Sequence, residues 1–309
     1  MTTSSVPDAG TTRKSTTDRS VSIQMRALRL WFALESRIAP NSAERRAAKM
    51  FATPPRQKKK IAAPSASDRS NHSAIDLQIS HGDLRISASA IGAGPIAMLI
   101  HGWGGTANDM LPAAVALAKS GWRAVVFDMP GHGKSPGKDS SLVHFMRAIR
   151  AVWTALGAPH VIVAHSMGGA AAALGIVELG LPARRAILIA PAPGPAYYVD
   201  RFVRSVGLPV ERTDGIVRNL TRRVGRPMES LDAVVAAQSA DVPALIFHDP
   251  ADRYVPFEYA ERIRDAWRGS RLVPTPRLGH KGILRDSTTL ASIVEFVEPV
   301  RLSAHSPAP

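Results

Sequence analysis

Three short stretches carry side chains that could do covalent chemistry together. VIVAHSMGGA (161–170) sets one hydroxyl, Ser166, between an apolar run and two glycines. HDPADRYVP (248–256) holds two carboxylates, Asp249 and Asp252, and PRLGHKGIL (276–284) holds the imidazole of His280. A serine hydroxyl is a poor nucleophile until a base takes its proton, and that imidazole needs a carboxylate to fix its tautomer. Serine first, then acid, then histidine is the chain order expected when the serine stands on a strand-to-helix bend. The chemistry would be acyl transfer through a covalent intermediate. Asp252, Asp249 and the earlier Asp128 are the candidates for the acid.

Such groups work only if elements from distant parts of the chain deliver them to one edge. Short apolar runs recur at 96–100, 123–127, 161–164, 186–190, 244–247 and 271–275, with helix-length segments at 109–119, 141–156, 167–179, 257–268 and 287–298. Nearly continuous Val, Ile, Leu and Ala in each run predicts an α/β fold, a mostly parallel sheet covered by helices on both faces. IDLQIS and LRISASAIG predict an opening hairpin around His81-Gly82-Asp83. Each reactive residue follows directly on a strand, where α/β sheets gather their functional groups. One interval of about fifty residues, 191–242, breaks the alternation, and a connection of that length is usually functional.

These motifs resemble the α/β-hydrolase fold family, and within it small lidded bacterial serine hydrolases, across roughly residues 75–299. Ala164-His165-Ser166-Met167-Gly168 is similar to the family's Gly-x-Ser-x-Gly elbow, with Ala in place of the first glycine. HDPADRYVP resembles the family's Gly-x-x-Asp-x-x-Val-Pro, which selects Asp252 as the acid. The resemblance implies Ser166 as nucleophile, His280 as base, and an oxyanion hole made by the amides of Trp103, in HGWGG, and Met167. It also implies a lid in 191–242, with Trp103, Tyr197, Tyr198 and Phe202 near the substrate. The activity implied is hydrolysis of an ester-type bond of a small molecule without cofactor or metal. Thioesterase, carbon–carbon hydrolase, acyltransferase and a non-catalytic binder share the same frame. A serine at the elbow argues against epoxide hydrolase or haloalkane dehalogenase.

Composition narrows the classes further. With no Cys, disulfides, thiolate ligands and a cysteine nucleophile are excluded. GHGKS (131–135) fails as a phosphate loop, and no HExxH pattern occurs. The net charge of +14 is concentrated in residues 1–70, which hold 14 Lys and Arg against five Asp and Glu. The body is only mildly basic, which speaks against a nucleic-acid partner. The expected organisation is a disordered tail at 1–20, an amphipathic helical extension at 21–52 and a linker at 53–73. The α/β-hydrolase domain follows at 74–299, with a tail at 300–309. In the extension, apolar residues at helical spacing alternate with Arg26, Arg29 and Arg37, Pro40 is expected to end the first helix, and Asn41 with Glu44 resembles a capping box for a second. The stripe either packs on the chain's own body or a partner, or lies on an anionic membrane. A cytoplasmic location is the expectation, with peripheral contact at the inner membrane face through residues 21–51 as the alternative, and oligomeric state is left open.

Overall fold

In the computed structural model, residues 16–55 and 75–304 are described. Eight strands form one sheet: β1 (Ile75–His81), β2 (Leu84–Ile91), β3 (Ile96–Ile100), β4 (Arg123–Phe127), β5 (Val161–His165), β6 (Arg185–Ile189), β7 (Ala244–His248) and β8 (Ser270–Pro274). Their order is β1-β2-β4-β3-β5-β6-β7-β8. The hairpin β1–β2 joins β4 antiparallel, and every later pairing is parallel.

The two-residue period of a strand divides the core into two layers. Met98, Ile100, Val125, Phe127, Ile162 and Ala164 point to one face, under the helices Leu142–Leu156 (α4), Met167–Glu178 (α5) and Phe257–Ala266 (α9). Leu99, Val126, Val163, Ile187 and Phe247 point to the other, under Leu111–Lys119 (α3) and Ser287–Ala304 (α11). β3, β5 and β7 are buried along their whole lengths, so the loops that follow them, including the one with Ser166, hang from a dry slab.

The interval between β6 and β7 carries three helices, Ala196–Val206 (α6), Thr213–Val224 (α7) and Ala233–Ala237 (α8). Arg226 grips Glu178 at the end of α5 with both guanidinium nitrogens, at 2.6 and 3.1 Å, and Arg223 pairs with Asp139. The N-terminal helices are Thr16–Ile38 (α1) and Pro40–Phe51 (α2), and α2 lies along α7. Ala43, Ala47 and Ala48 are small enough to bring the two helix axes together and are fully buried.

Several details differ from the sequence expectation. Helix α1 starts at Thr16, five residues before the expected start at 21, and α11 continues to Ala304. Pro40 does not end the first helix alone; it opens the second, where a missing N–H is harmless. Asn41 and Glu44 form no capping box, because Ala39 takes the cap position and Glu44 turns inward toward Arg212, at 3.7 Å. Pro54 and Pro55, expected in the linker, rest on the body beside Gly131 and Gly104, with Pro54 buried, and just before them Ser140 N–H donates to Ala52 O at 2.8 Å. The tail at 1–15, the rest of the linker at 56–74 and residues 305–309 lie outside the described residues.

Candidate active site

The bend after β5 is strained. Ser166 has φ 53° and ψ −120°, a conformation that side chains other than glycine rarely adopt and that costs about 1–3 kcal/mol. Neighbouring glycines make the strain affordable sterically. A Cβ on Gly168 would fall 2.6 Å from His101 O, and one on Gly102 would fall 2.8 Å from Ser166 Cβ. Backbone of the β3 loop and the start of α5 therefore touch, with Ser166 half-buried between them. The Met167 amide opens α5, where no intrahelical acceptor exists and the helix dipole favours negative charge. The Trp103 amide makes no hydrogen bond among the described residues.

Opposite this bend, Asp252 Oδ2 lies 2.6 Å from His280 Nδ1. Burial pushes the Asp252 carboxyl upward, but hydrogen bonds from His248 and His280 and from the Tyr254 amide outweigh it and hold the group well below the ordinary carboxylate range. An ionised Asp252 fixes the proton of His280 on Nδ1 and leaves Nε2 as the basic nitrogen. The His248 Nε2–H is shared, with Val255 O at 3.0 Å and Asp252 Oδ2 at 3.5 Å. Tyr254, exposed, half-faces the His280 ring at 5.2 Å.

The two sides are joined by a histidine that sequence reading treated only as a flanking residue. His165, immediately before Ser166, donates from Nε2 to the carbonyl of His280 at 2.9 Å, and the two rings are 4.7 Å apart. Burial pushes His165 down to about 3, so it stays neutral and keeps this single donor. His101 and His132 act alike on the neighbouring loops, each lowered by burial to about 4. His101 Nδ1 donates to Gly102 O at 2.7 Å while its Nε2 accepts from Met129 N–H. His132 Nδ1 donates to Pro130 O and its Nε2 accepts from Gly104 N–H at 3.1 Å, directly beside Trp103. Neutral imidazoles suit this work, since each offers one donor and one acceptor to orphaned backbone.

The rival carboxylates are employed elsewhere. Asp128 accepts from Ala107 and Lys134 amides at 2.7 Å each, tying the β4 loop to the turn after Trp103. Asp249 accepts from Ala251 and, at 2.5 Å, from Gly279, the residue before His280. Only Asp252 bonds the His280 ring. Of the residues expected near the substrate, Trp103 is half-buried edge-on to His132 at 5.3 Å. Tyr197 lies against Tyr198 and Tyr259 and lines a cleft of about 170 Å³ with Pro193, Asp232 and Arg262. Burial raises the Tyr198 hydroxyl, with the Tyr197 and Asp252 charges adding to it. Phe202 meets Phe51 of α2 edge-on at 5.3 Å, so its ring closes the gap between the insertion and the extension.

Comparison with known proteins bears on the fold and the kind of enzyme it resembles. Residues 94–212 match the family model described as serine aminopeptidase, S33. A pimeloyl-[acyl-carrier protein] methyl ester esterase of Neisseria meningitidis is 27% identical over 250 residues, covering 65% of this chain and 76% of the relative. A non-heme haloperoxidase of Rhodococcus erythropolis is 25% identical, covering 67% and 93%. Among solved structures, a Pyrococcus furiosus esterase superimposes with a TM-score of 0.60 at 18% identity, covering 80% of this chain and 98% of its own. With its eight-stranded sheet and these likenesses, the chain has the α/β-hydrolase fold and is similar to esterase-like serine hydrolases.

Proposed function

We propose that the chain hydrolyses a carboxylic ester of a small molecule through an acyl-enzyme, with Ser166, His280 and Asp252 as its triad. The observation that carries this reading is the 2.6 Å contact from Asp252 to His280 Nδ1, on a loop that His165 fastens to the strained serine. In the first half-reaction His280 Nε2 takes the Ser166 proton as Oγ attacks the ester carbonyl. The tetrahedral oxygen develops negative charge toward the Trp103 and Met167 amides, a pair of donors each worth about 10²–10³ in rate. Collapse expels the alcohol, which takes the proton back from His280. Water, deprotonated by the same nitrogen, then attacks the acyl-enzyme and releases the acid, restoring Ser166.

Trp103, half-buried beside His132, Tyr254, exposed 5.2 Å from the His280 ring, and Tyr198, against Tyr197, are the side chains we assign to the substrate walls. The methyl ester esterase name of the Neisseria relative favours a small alcohol and a longer acyl chain as the first substrates to try. The test is a panel of p-nitrophenyl acyl esters, methyl esters and acyl-CoA thioesters, with Ser166→Ala as blank, alongside labelling by a fluorophosphonate. Labelling confined to Ser166 with ester turnover supports the reading. Thioester preference moves the substrate class, and folded protein that resists labelling and turns over no ester overturns it in favour of a binder.

A further inference from the structure

Helix α1 has two apolar faces where one would suffice for packing. Phe32 is fully buried and Ser36 nearly so, and Leu28 packs beside them against the body. On the opposite side, stepping 100° per residue, Ile23, Leu30, Leu34 and Ile38 fall on one stripe and are 63%, 73%, 58% and 75% exposed. Trp31 stands at its edge with the Arg46 guanidinium 4.6 Å over the ring. Among the described residues, six of the eleven exposed large apolar side chains belong to this one helix, and all but Met25 gather on or beside the stripe, as a patch rather than the usual scatter.

Charge decides what covers the patch. Arg26 and Arg37 border the stripe and make no ion pair among the described residues. The only acids between residues 23 and 51 are Glu35, held by Arg46 at 3.0 Å, and Glu44, buried beside Arg212. The rim is therefore cationic. A second copy laid on the stripe would bring arginines against arginines, whereas an anionic lipid surface would pair them. No described helix is long and apolar enough to cross a bilayer, which leaves an orientation in the interfacial plane.

We infer that the outer face of α1 is a membrane-docking surface, in which Ile23, Leu30, Leu34 and Ile38 enter an anionic leaflet and Arg26 and Arg37 meet its headgroups. The inference is independent of the hydrolase reading. The full chain is sedimented with vesicles of phosphatidylcholine alone and with vesicles containing about 30 mol% phosphatidylglycerol, at low and high salt. The protein should pellet with the anionic vesicles only, and less so in high salt. Leu30→Glu with Leu34→Glu should weaken partitioning at least tenfold, and Arg26→Gln with Arg37→Gln by about tenfold. Both pairs are exposed, and an unchanged Tm and unchanged turnover of a soluble p-nitrophenyl ester separate loss of docking from loss of fold or activity. Binding that survives Leu30→Glu/Leu34→Glu, equal binding to neutral vesicles, or no binding at all overturns the inference. A dimer that this double variant dissociates in ultracentrifugation assigns the stripe to a second copy instead.

Discussion

The loops at the sheet edge and the helical layer above them are held by different physics. The loops carrying Trp103, Ser166 and His280 are fixed by buried hydrogen bonds between the imidazoles of His101, His132 and His165 and the backbone, and by backbone contacts with no slack. The layer of α1, α2, α6 and α7 is held by alanine-lined helix packing, the Phe51–Phe202 pair and a few arginine–carboxylate contacts. Apolar packing tolerates replacement of one side chain by another of similar volume. A strained serine and a neutral imidazole serving two backbone groups have no such substitutes. Damage to the first region should therefore appear in turnover, and damage to the second in stability.

The sharpest separation comes from the triad. Ser166→Ala should lower kcat/KM by at least about 10⁴-fold on whichever ester is best, with the fold intact by circular dichroism. Asp252→Asn should cost about 10⁴-fold through the wrong His280 tautomer. Gly102→Ala, which drives a methyl into Ser166 and His165, should lower kcat about 10²-fold in steady-state kinetics with a smaller change in KM. Comparable losses from Phe51→Ala would break the distinction between the regions.

Acid should act on the loops first. His101, His132 and His165 are lowered to about 4, 4 and 3 in the folded chain against an unfolded value near 6.5. Between those limits the unfolded chain binds more protons, so stability falls as pH drops from about 6.5 toward 4, by up to about 1.4 kcal/mol per pH unit for each histidine. Denaturant unfolding at a series of pH values reads this slope, and His165→Gln should make it shallower by one proton. Ser166→Gly sharpens the same point from the opposite direction. It should unfold about 1–2 kcal/mol later than Ser166→Ala because glycine accepts φ 53° without strain. On turnover the smallest effect belongs to the helical layer: Phe51→Ala should cost about 1–3 kcal/mol in urea unfolding and leave kcat within about twofold.

What the chain declares openly is tied to period and position. Ser166, Asp249, Asp252 and His280 could be singled out because each follows an apolar run at a strand end, and parallel strands put those ends at one edge; the choice of Asp252 came from the family's spacing. The parallel sheet and the opening hairpin followed from the same runs, but the order of the strands did not. That His101 is a structural hydrogen-bonder was legible from its place before the turn, but the roles of His132, His165 and Asp249 were not, since their partners are backbone atoms of loops up to 115 residues away. Nothing local distinguishes a histidine that ties down a carbonyl from one that moves a proton. Pro54 and Pro55 were lost for a related reason: a Pro-rich stretch looks like a spacer until the surface it rests on is known. The two-sided character of α1 was written in its sequence, but the question of pack or dock presumed one face, and the helix has both.

Those two prolines carry a practical consequence. Pro55 rests against Gly104, one residue past the Trp103 amide, and Pro54 against Gly131 in the adjoining turn. The leader thus ends as a wedge under the very turn that would cradle the reacting oxygen. Trimming this chain to its sheet would remove that wedge and should alter the tempo of the proposed chemistry along with the chain's stability.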